Sequence, residues 1–407
     1  MRRKGYLMDK MVAWGSNNEG QLGDGTRTTT SRPVLVPGLP EKKRVSQLAA
    51  GFEHSLALLD DGTVWAWGCN GWGVLGHNAW KDSLTPIQVV GEGGKGWLMD
   101  VVEIAAGKFH NLARKEDGTL WAWGDGVAGQ LGTGDRSYRL APARVNAWRK
   151  GERVTAIAAG KRHSLAITTL GDVTTVWAWG HNSNGQLGRP PASDYDVSLV
   201  PVPVIDNKER PSRPYQAVAA GGEHCLALRA DGVVEAWGKN AAGQLGDGKT
   251  NDRARPGEVD PVLPHGPGVI TQIAAGNDYS LALATDLSGM PGVWAWGYNR
   301  NGQLGDGHTL IDRPLPDRVV GPGGEGHLTK VSAIAAGDFH CLALRGTDHT
   351  VWAWGHNGFG QLGDGTNVPQ STEPVQAVIA PLLGPNAMEH IGAGYMHSLA
   401  AGLILRP

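Results

Sequence analysis

Six histidines share one local context, Gly-x-x-His, at His54, His110, His163, His224, His340 and His397, and Tyr279 holds the same place once. Imidazoles recurring at even spacing could bind a metal or shuttle protons. The regularity itself argues for another role. A residue fixed in nearly every copy of a unit serves the unit, and the expected use is a hydrogen bond to backbone at the turn, so no metal is assigned. The Gly-Asp-Gly triplets at Gly23, Gly246, Gly305 and Gly363 bring a carboxylate to a glycine loop. A calcium loop needs further oxygen donors and a closing Glu that these segments lack, whereas Gly and Asp suit tight turns. Cys69, Cys225 and Cys341 are widely spaced, with no Cys-x-x-Cys pair, which argues against a zinc site or a disulfide scaffold. Cys225 and Cys341 read as small packed groups; Cys69, in a loop, is the one candidate for a reactive thiol. No Gly-x-Ser-x-Gly, His-Glu-x-x-His or phosphate-loop motif occurs, so the sequence assigns no catalytic residue and no cofactor.

The elements that carry these residues are repeats. A Trp-Gly pair recurs at Trp14, Trp67, Trp123, Trp179, Trp237, Trp296 and Trp354, at intervals of 53 to 59 residues. A turn of the form Gly-Gln-Leu-Gly follows each, with Val74 replacing the Gln once, and Ala-Ala-Gly-x-x-His precedes most. Asp61-Gly62, Asp117-Gly118 and Asp231-Gly232 lie between short apolar runs, a strong hairpin signal. Residues 55–59 and 63–67 are expected to pair antiparallel. In Thr63-Val64-Trp65-Ala66-Trp67 both faces of the strand are apolar, which requires neighbouring sheets on both sides. Blades stacked around an axis supply them, with the small Ala-Ala-Gly strands where the blades converge. The first strand, near Tyr6 to Trp14, lacks the partner that His397 to Leu405 offers, so the two termini are expected to pair and close a seven-bladed ring. The predicted fold is an all-β seven-bladed propeller of four-stranded antiparallel blades, with residues 1–407 forming one domain.

Composition narrows the partner classes. The 37 Lys and Arg against 39 Asp and Glu leave a formal charge of −2, which gives no electrostatic footprint for nucleic acid. With 61 Gly, 16 Trp and 41% apolar residues there is material for a packed core. No run approaches the roughly 18 apolar residues of a membrane helix, and the basic N-terminus is not followed by a signal-like apolar stretch. The expected location is the cytoplasm, away from membranes.

The three repeated motifs together resemble the regulator of chromosome condensation repeat family over essentially the whole chain. That resemblance implies a seven-bladed propeller, in agreement with the count above. Members implied by it include guanine nucleotide exchange factors, a plant UV-B photoreceptor and protein inhibitors, so activity does not follow from fold. The photoreceptor carries Trp in its Gly-x-x-His turns; none of the seven turns here does. The exchange factors use a wedge-like insertion in a blade, for which the even repeat length leaves no room.

What varies between repeats is more telling than what recurs. The variable turn positions hold Phe52, Glu53, Lys108, Phe109, Lys161, Arg162, Glu223, Asn277, Asp278, Asp338, Phe339, Tyr395 and Met396. They are expected to ring one mouth of the propeller. Aromatics among charges of both signs suit a protein-binding surface, and the resemblance implies the same use of this face. Four off-pattern indoles, Trp72, Trp80, Trp97 and Trp148, form either a second contact patch or plugs for long loops. Gly188 to Asp196 is a stiff polar loop that could add a contact. The sequence thus points to a non-catalytic protein- or peptide-binding scaffold. The alternative is an enzyme of the central funnel, with Glu53, Glu223, Asp278 and Asp338 as its acids and bases.

Overall fold

The computed structural model describes residues 7–204, 214–264, 266, 269–285, 289–307, 310–379 and 388–405. These residues form seven antiparallel sheets of four strands each. The second blade shows the plan: Val45–Ala50 lies innermost, followed outward by His54–Leu59, Val64–Gly68 and Ser83–Gln88. The expected hairpin is present with Ser55 opposite Trp67. Among the described residues the only helical turns are the 3-10 segments Glu92–Gly94 and Pro322–Gly324.

Alternation along a strand sends successive side chains to opposite faces. Trp65 and Trp67 therefore join one apolar layer, shared with the first blade, while Val64 and Ala66 join the next, shared with the third. Seven such layers fill the seven gaps between blades. The first blade is built from both ends of the chain. Leu7–Gly15 pairs antiparallel with His397–Leu405 over nine positions, from Leu7 opposite Leu405 to Gly15 opposite His397. Tyr6, part of the expected pairing, lies outside the described residues.

The repeated motifs interlock between blades. The Nε1–H of each Trp-Gly indole donates to a carbonyl in the preceding Gly-Gln-Leu-Gly turn, as Trp67 does to Gln21 O at 2.9 Å and Trp123 to Val74 O at 2.8 Å. The acceptor is backbone, which is why Val74 can replace the glutamine. The glycine after each indole has φ between 98° and 106°. A Cβ at Gly68 would lie 2.4 Å from Glu53 O, so this position excludes other residues on both counts.

The fifth repeat departs from the pattern, with Glu235 where five other blades place the first indole of Trp-x-Trp and the first blade places Val12. Its carboxylate is buried beside Arg229, whose Nη1 donates at 3.2 Å, and accepts from Tyr215 Oη at 2.6 Å. Asp231 and Glu258 also pair with Arg229. Arg229→Met would strand Glu235 without its cation, and the expected cost is about 3–5 kcal/mol in urea denaturation. The double change Arg229→Leu, Glu235→Trp should recover most of that loss, because it replaces the ion pair with the packing used in other blades.

Candidate binding face at the propeller mouth

The Gly-x-x-His turns gather at one end of the ring, as their spacing predicts. They are joined by seven backbone hydrogen bonds: Phe52 N–H to Lys108 O, Lys108 to Gly160, Lys161 to Gly221, Gly222 to Gly276, Asn277 to Asp338, Asp338 to Gly394 and Tyr395 to Gly51, at 3.0–3.3 Å. Every blade is thus tied to the next at this mouth. Below it the Ala-Ala-Gly strands line a central cavity of about 430 Å³.

Directly beneath the turns lies the histidine ring, and here the expectation of a backbone partner is corrected. Each imidazole Nε2 contacts a side chain of the next blade: His54 to Asn111 Oδ1, His110 to Ser164 Oγ, His163 to Cys225 Sγ, His224 to Ser280 Oγ, His340 to Ser398 Oγ and His397 to Ser55 Oγ, at 2.7–3.2 Å. The four serines give their single hydroxyl hydrogen to the turn carbonyls of Gln21, Gln130, Gln244 and Gln361, so their histidines must donate from Nε2. Asn111 fits the same polarity, donating to Val74 O. Cys225 and Cys341 take the serine place, each within reach of a turn carbonyl. Tyr279 completes the circle, its hydroxyl lying 2.8 and 2.7 Å from Gly337 O and His340 O and sharing its single hydrogen between them. Burial depresses all six imidazoles, to about 4 for His54 and His224 and about 3 for the others. Neutral and engaged, they knit blades together.

The mouth itself is two-sided. Phe339, Tyr395, Phe52 and Phe109 form a run of contacting rings with centroids 5.9, 4.3 and 5.5 Å apart, contributed by the seventh, first, second and third blades. The run continues outward through Trp72, Tyr138 and Trp80 at 4.8, 6.4 and 5.8 Å. Trp72 and Tyr138 are each 38% exposed and Trp80 53%. On the other side stand charges. Glu223 and Asp278 both meet Lys239, at 3.8 and 3.0 Å. Asp278 also accepts from Gln244 and Asn277. Lys161 is half-buried and Arg162 exposed. Lys108 reaches across to Asp338, 3.7 Å away. Burial raises the Asp338 carboxyl above its ordinary range against the pull of Lys108. Glu53, half-buried, is also raised by burial and by Glu19.

Three expected site residues are placed differently from the rest. Met396 is buried under the rim, its sulfur 3.1 Å from Gln361 Nε2, while Tyr395 of the same turn joins the aromatic run. Trp148 packs edge-on against Trp177 and Trp179 and plugs the layer between the third and fourth blades. Trp97 is exposed, but its loop follows a strand running away from the mouth. The four off-pattern indoles therefore do not form one patch; Trp72 and Trp80 belong to the mouth. The loop from Gly188 is stapled by Arg189, which donates twice to Asp196, and it leaves Tyr195 87% exposed. Of the four acids of the enzyme alternative, Glu223 and Asp278 share Lys239 and Asp338 meets Lys108, so three of them are engaged by lysines. Tyr138, Lys239 and Gln244 were not singled out from the sequence. Tyr138 alone carried a signal, as an aromatic outside the repeat pattern.

Seven blades, a seam made from both termini and an aromatic mouth define a closed propeller with one distinctive face. The chain belongs to the RCC1-like domain family, which matches residues 7–265 and 173–402. It is 31% identical over 364 residues to the ultraviolet-B receptor of Arabidopsis thaliana, covering 89% of this chain and 76% of that protein. It is 32% identical over 395 residues to the E3 ubiquitin-protein ligase HERC2 of Homo sapiens, covering 96% of this chain but only 8% of that much longer protein. The crystal structure of Prp20p from Saccharomyces cerevisiae superposes with a TM-score of 0.81 at 26% identity, covering 99% of this chain and 94% of Prp20p. Among the described residues no helix is long and apolar enough to cross a membrane.

Proposed function

We propose that this protein is a non-catalytic scaffold that binds a protein or peptide at the mouth formed by the Gly-x-x-His turns. The observation that carries this reading is the continuous aromatic run from Phe339 to Trp80, half-buried at the centre and exposed at the rim, beside charges of both signs. Such a surface offers anchor rings within a polar surround. The blade-to-blade hydrogen bonds support it by holding the anchors in place before binding, which limits the entropy lost on association. The relative Prp20p, described with binding properties to Gsp1p and histones, is in keeping with protein recognition by this fold. A cytoplasmic location belongs to the same reading and accords with three free cysteines.

The test compares the wild type with a Phe52→Ala, Phe109→Ala, Phe339→Ala, Tyr395→Ala variant in affinity capture from native lysate. Circular dichroism must first show that the variant is folded. The expected result is a protein retained by the wild type and lost, by at least tenfold, from the variant. Equal retention by both proteins would refute the assignment of the mouth as the binding face.

A further inference from the structure

The ammonium of Lys108 sits against three aromatic rings, 4.3 Å from the centroid of Phe52, 4.9 Å from Tyr395 and 5.8 Å from Phe109. These separations fall within the reach of cation–π attraction. The rings come from three consecutive blades and form a cage, whose open side is closed by Asp338 at 3.7 Å. Lys108 belongs to the same turn as Phe109, and its ammonium is held in the cage by the three rings and by Asp338 alone. Its side chain is 18% exposed, and Lys161 and Arg162 lie near enough to repel it. If this side chain swings out, the cage retains Asp338, which has no other ion pair among the described residues, while Glu53 in the neighbouring turn, close enough to feel the Lys108 charge, adds a second negative charge nearby. Glu19 and Asp82 lie close to Glu53 but are both paired with Arg27. The emptied cage is therefore complementary to a cation.

We propose that the Phe52, Phe109 and Tyr395 cage is a recognition pocket for a lysine side chain of a partner polypeptide, and that Lys108 is a built-in competitor occupying it in the free protein. A polypeptide is favoured over a free ammonium compound because the aromatic run continues from the cage through Trp72 and Tyr138 to Trp80. A segment extending from the cage toward the rim meets rings along its whole length. The cage fixes one lysine, while Lys161 and Arg162 at its fourth-blade side favour an acidic residue next to it. Displacement of Lys108 costs its cation–π contacts and its pairing with Asp338, which the incoming ammonium replaces in kind. Affinity is then set by the flanking contacts, so a partner lacking them does not open the pocket.

This inference rests on the mouth being a binding face, but its test uses purified components and does not depend on capturing a natural partner. The probe is a capped Ala-Glu-Lys-Ala-Tyr peptide and its counterpart with acetyl-lysine, observed by proton NMR. A lysine seated among rings has its ε-methylene resonance moved upfield by ring currents, a signature that nonspecific charge attraction does not produce. The Lys108→Ala protein is expected to bind the lysine peptide at least tenfold more tightly than wild type, with the upfield shift. The acetylated peptide should show neither effect, and adding Phe52→Ala to Lys108→Ala should remove both. Lys108→Ser serves the same purpose if the alanine variant does not fold. Equal affinity of the wild type and the opened variants, or equal binding of the acetylated peptide, would overturn the proposal. Loss of the captured protein in the earlier experiment with no gain here would leave the mouth as a binding face without a lysine pocket.

Discussion

Deleting the first fourteen residues is expected to abolish cooperative folding of the entire ring, not merely of one blade. The strand Leu7–Gly15 lies between His397–Leu405 and Thr30–Leu35. It pairs with the former along its full length. Its residues serve two layers: Val12 and Trp14 pack toward the seventh blade, Met11 and Ala13 toward the second. Burial of Trp14, Met11 and Val12 contributes about 1.5–3 kcal/mol each, and the Trp14 indole also donates to Gln361 O at 2.8 Å. That loss alone is comparable to the roughly 5–15 kcal/mol by which a typical domain is stable. Removal further exposes two unpaired strand edges and opens a ring whose remaining layers depend on closure. Thermal melts followed by circular dichroism should show a broad, early transition, with aggregation in size-exclusion chromatography. A synthetic peptide of residues 1–15 added in trans should restore a sharp melt by strand addition. An unchanged midpoint in the truncated protein would refute closure by this strand.

The second large effect is expected in acid. Each of the six ring histidines has a folded-state pKa depressed to about 3 or 4, below the roughly 6.5 of an unfolded chain. The unfolded state therefore binds more protons as the pH falls below about 6.5. Stability fully present above that pH is lost progressively until the folded-state values are reached. Once the pH is a unit below 6.5, each histidine costs about 1.4 kcal/mol per further pH unit. Six of them acting together amount to about 8 kcal/mol per unit, so unfolding is expected near pH 5. Protonation has nowhere to go within the fold: among the described residues, Nδ1 of five of these rings is buried without a partner, and Nε2 already donates to the next blade. Urea midpoints measured from pH 7.5 down to 5.5 should give an uptake on unfolding that rises toward six protons. His224→Gln keeps an N–H donor toward Ser280 but does not titrate, and it should lower the uptake by about one. A slope set by one or two protons would show that the ring is not uniformly buried and neutral.

The fold was legible because every blade repeats its own instructions. Trp-Gly, Gly-Gln-Leu-Gly and Ala-Ala-Gly each meet a steric or hydrogen-bonding demand that recurs seven times, so spacing alone gave the blade number and the hairpin register. The seam was legible too, because residues near Trp14 and near His397 each lacked a partner. The turns could likewise be assigned to one mouth from their place between inner strands. The mutual arrangement of the side chains was not available. His54 and Asn111 are 57 residues apart, and which group an imidazole meets depends on how neighbouring blades are offset. Met396 and Trp148 illustrate the same limit: a loop position states where the backbone goes, and packing decides whether the side chain faces solvent or core.

By itself, then, the sequence determined the architecture, the closure and the inventory of side chains at the mouth, since these follow from local pattern repeated along the chain. Only the tertiary structure decided that the aromatics stand together. Phe339 and Tyr395 belong to the last two repeats and Phe52 and Phe109 to the earlier ones, so in the chain they lie at opposite ends. They become neighbours because the strand Leu7–Gly15 closes the ring, bringing the seventh, first, second and third blades into sequence across the seam. The same closure lets Lys108 span the mouth to Asp338. Contacts of this kind depend on distances through space between segments that share no local pattern, and only a closed ring fixes those distances.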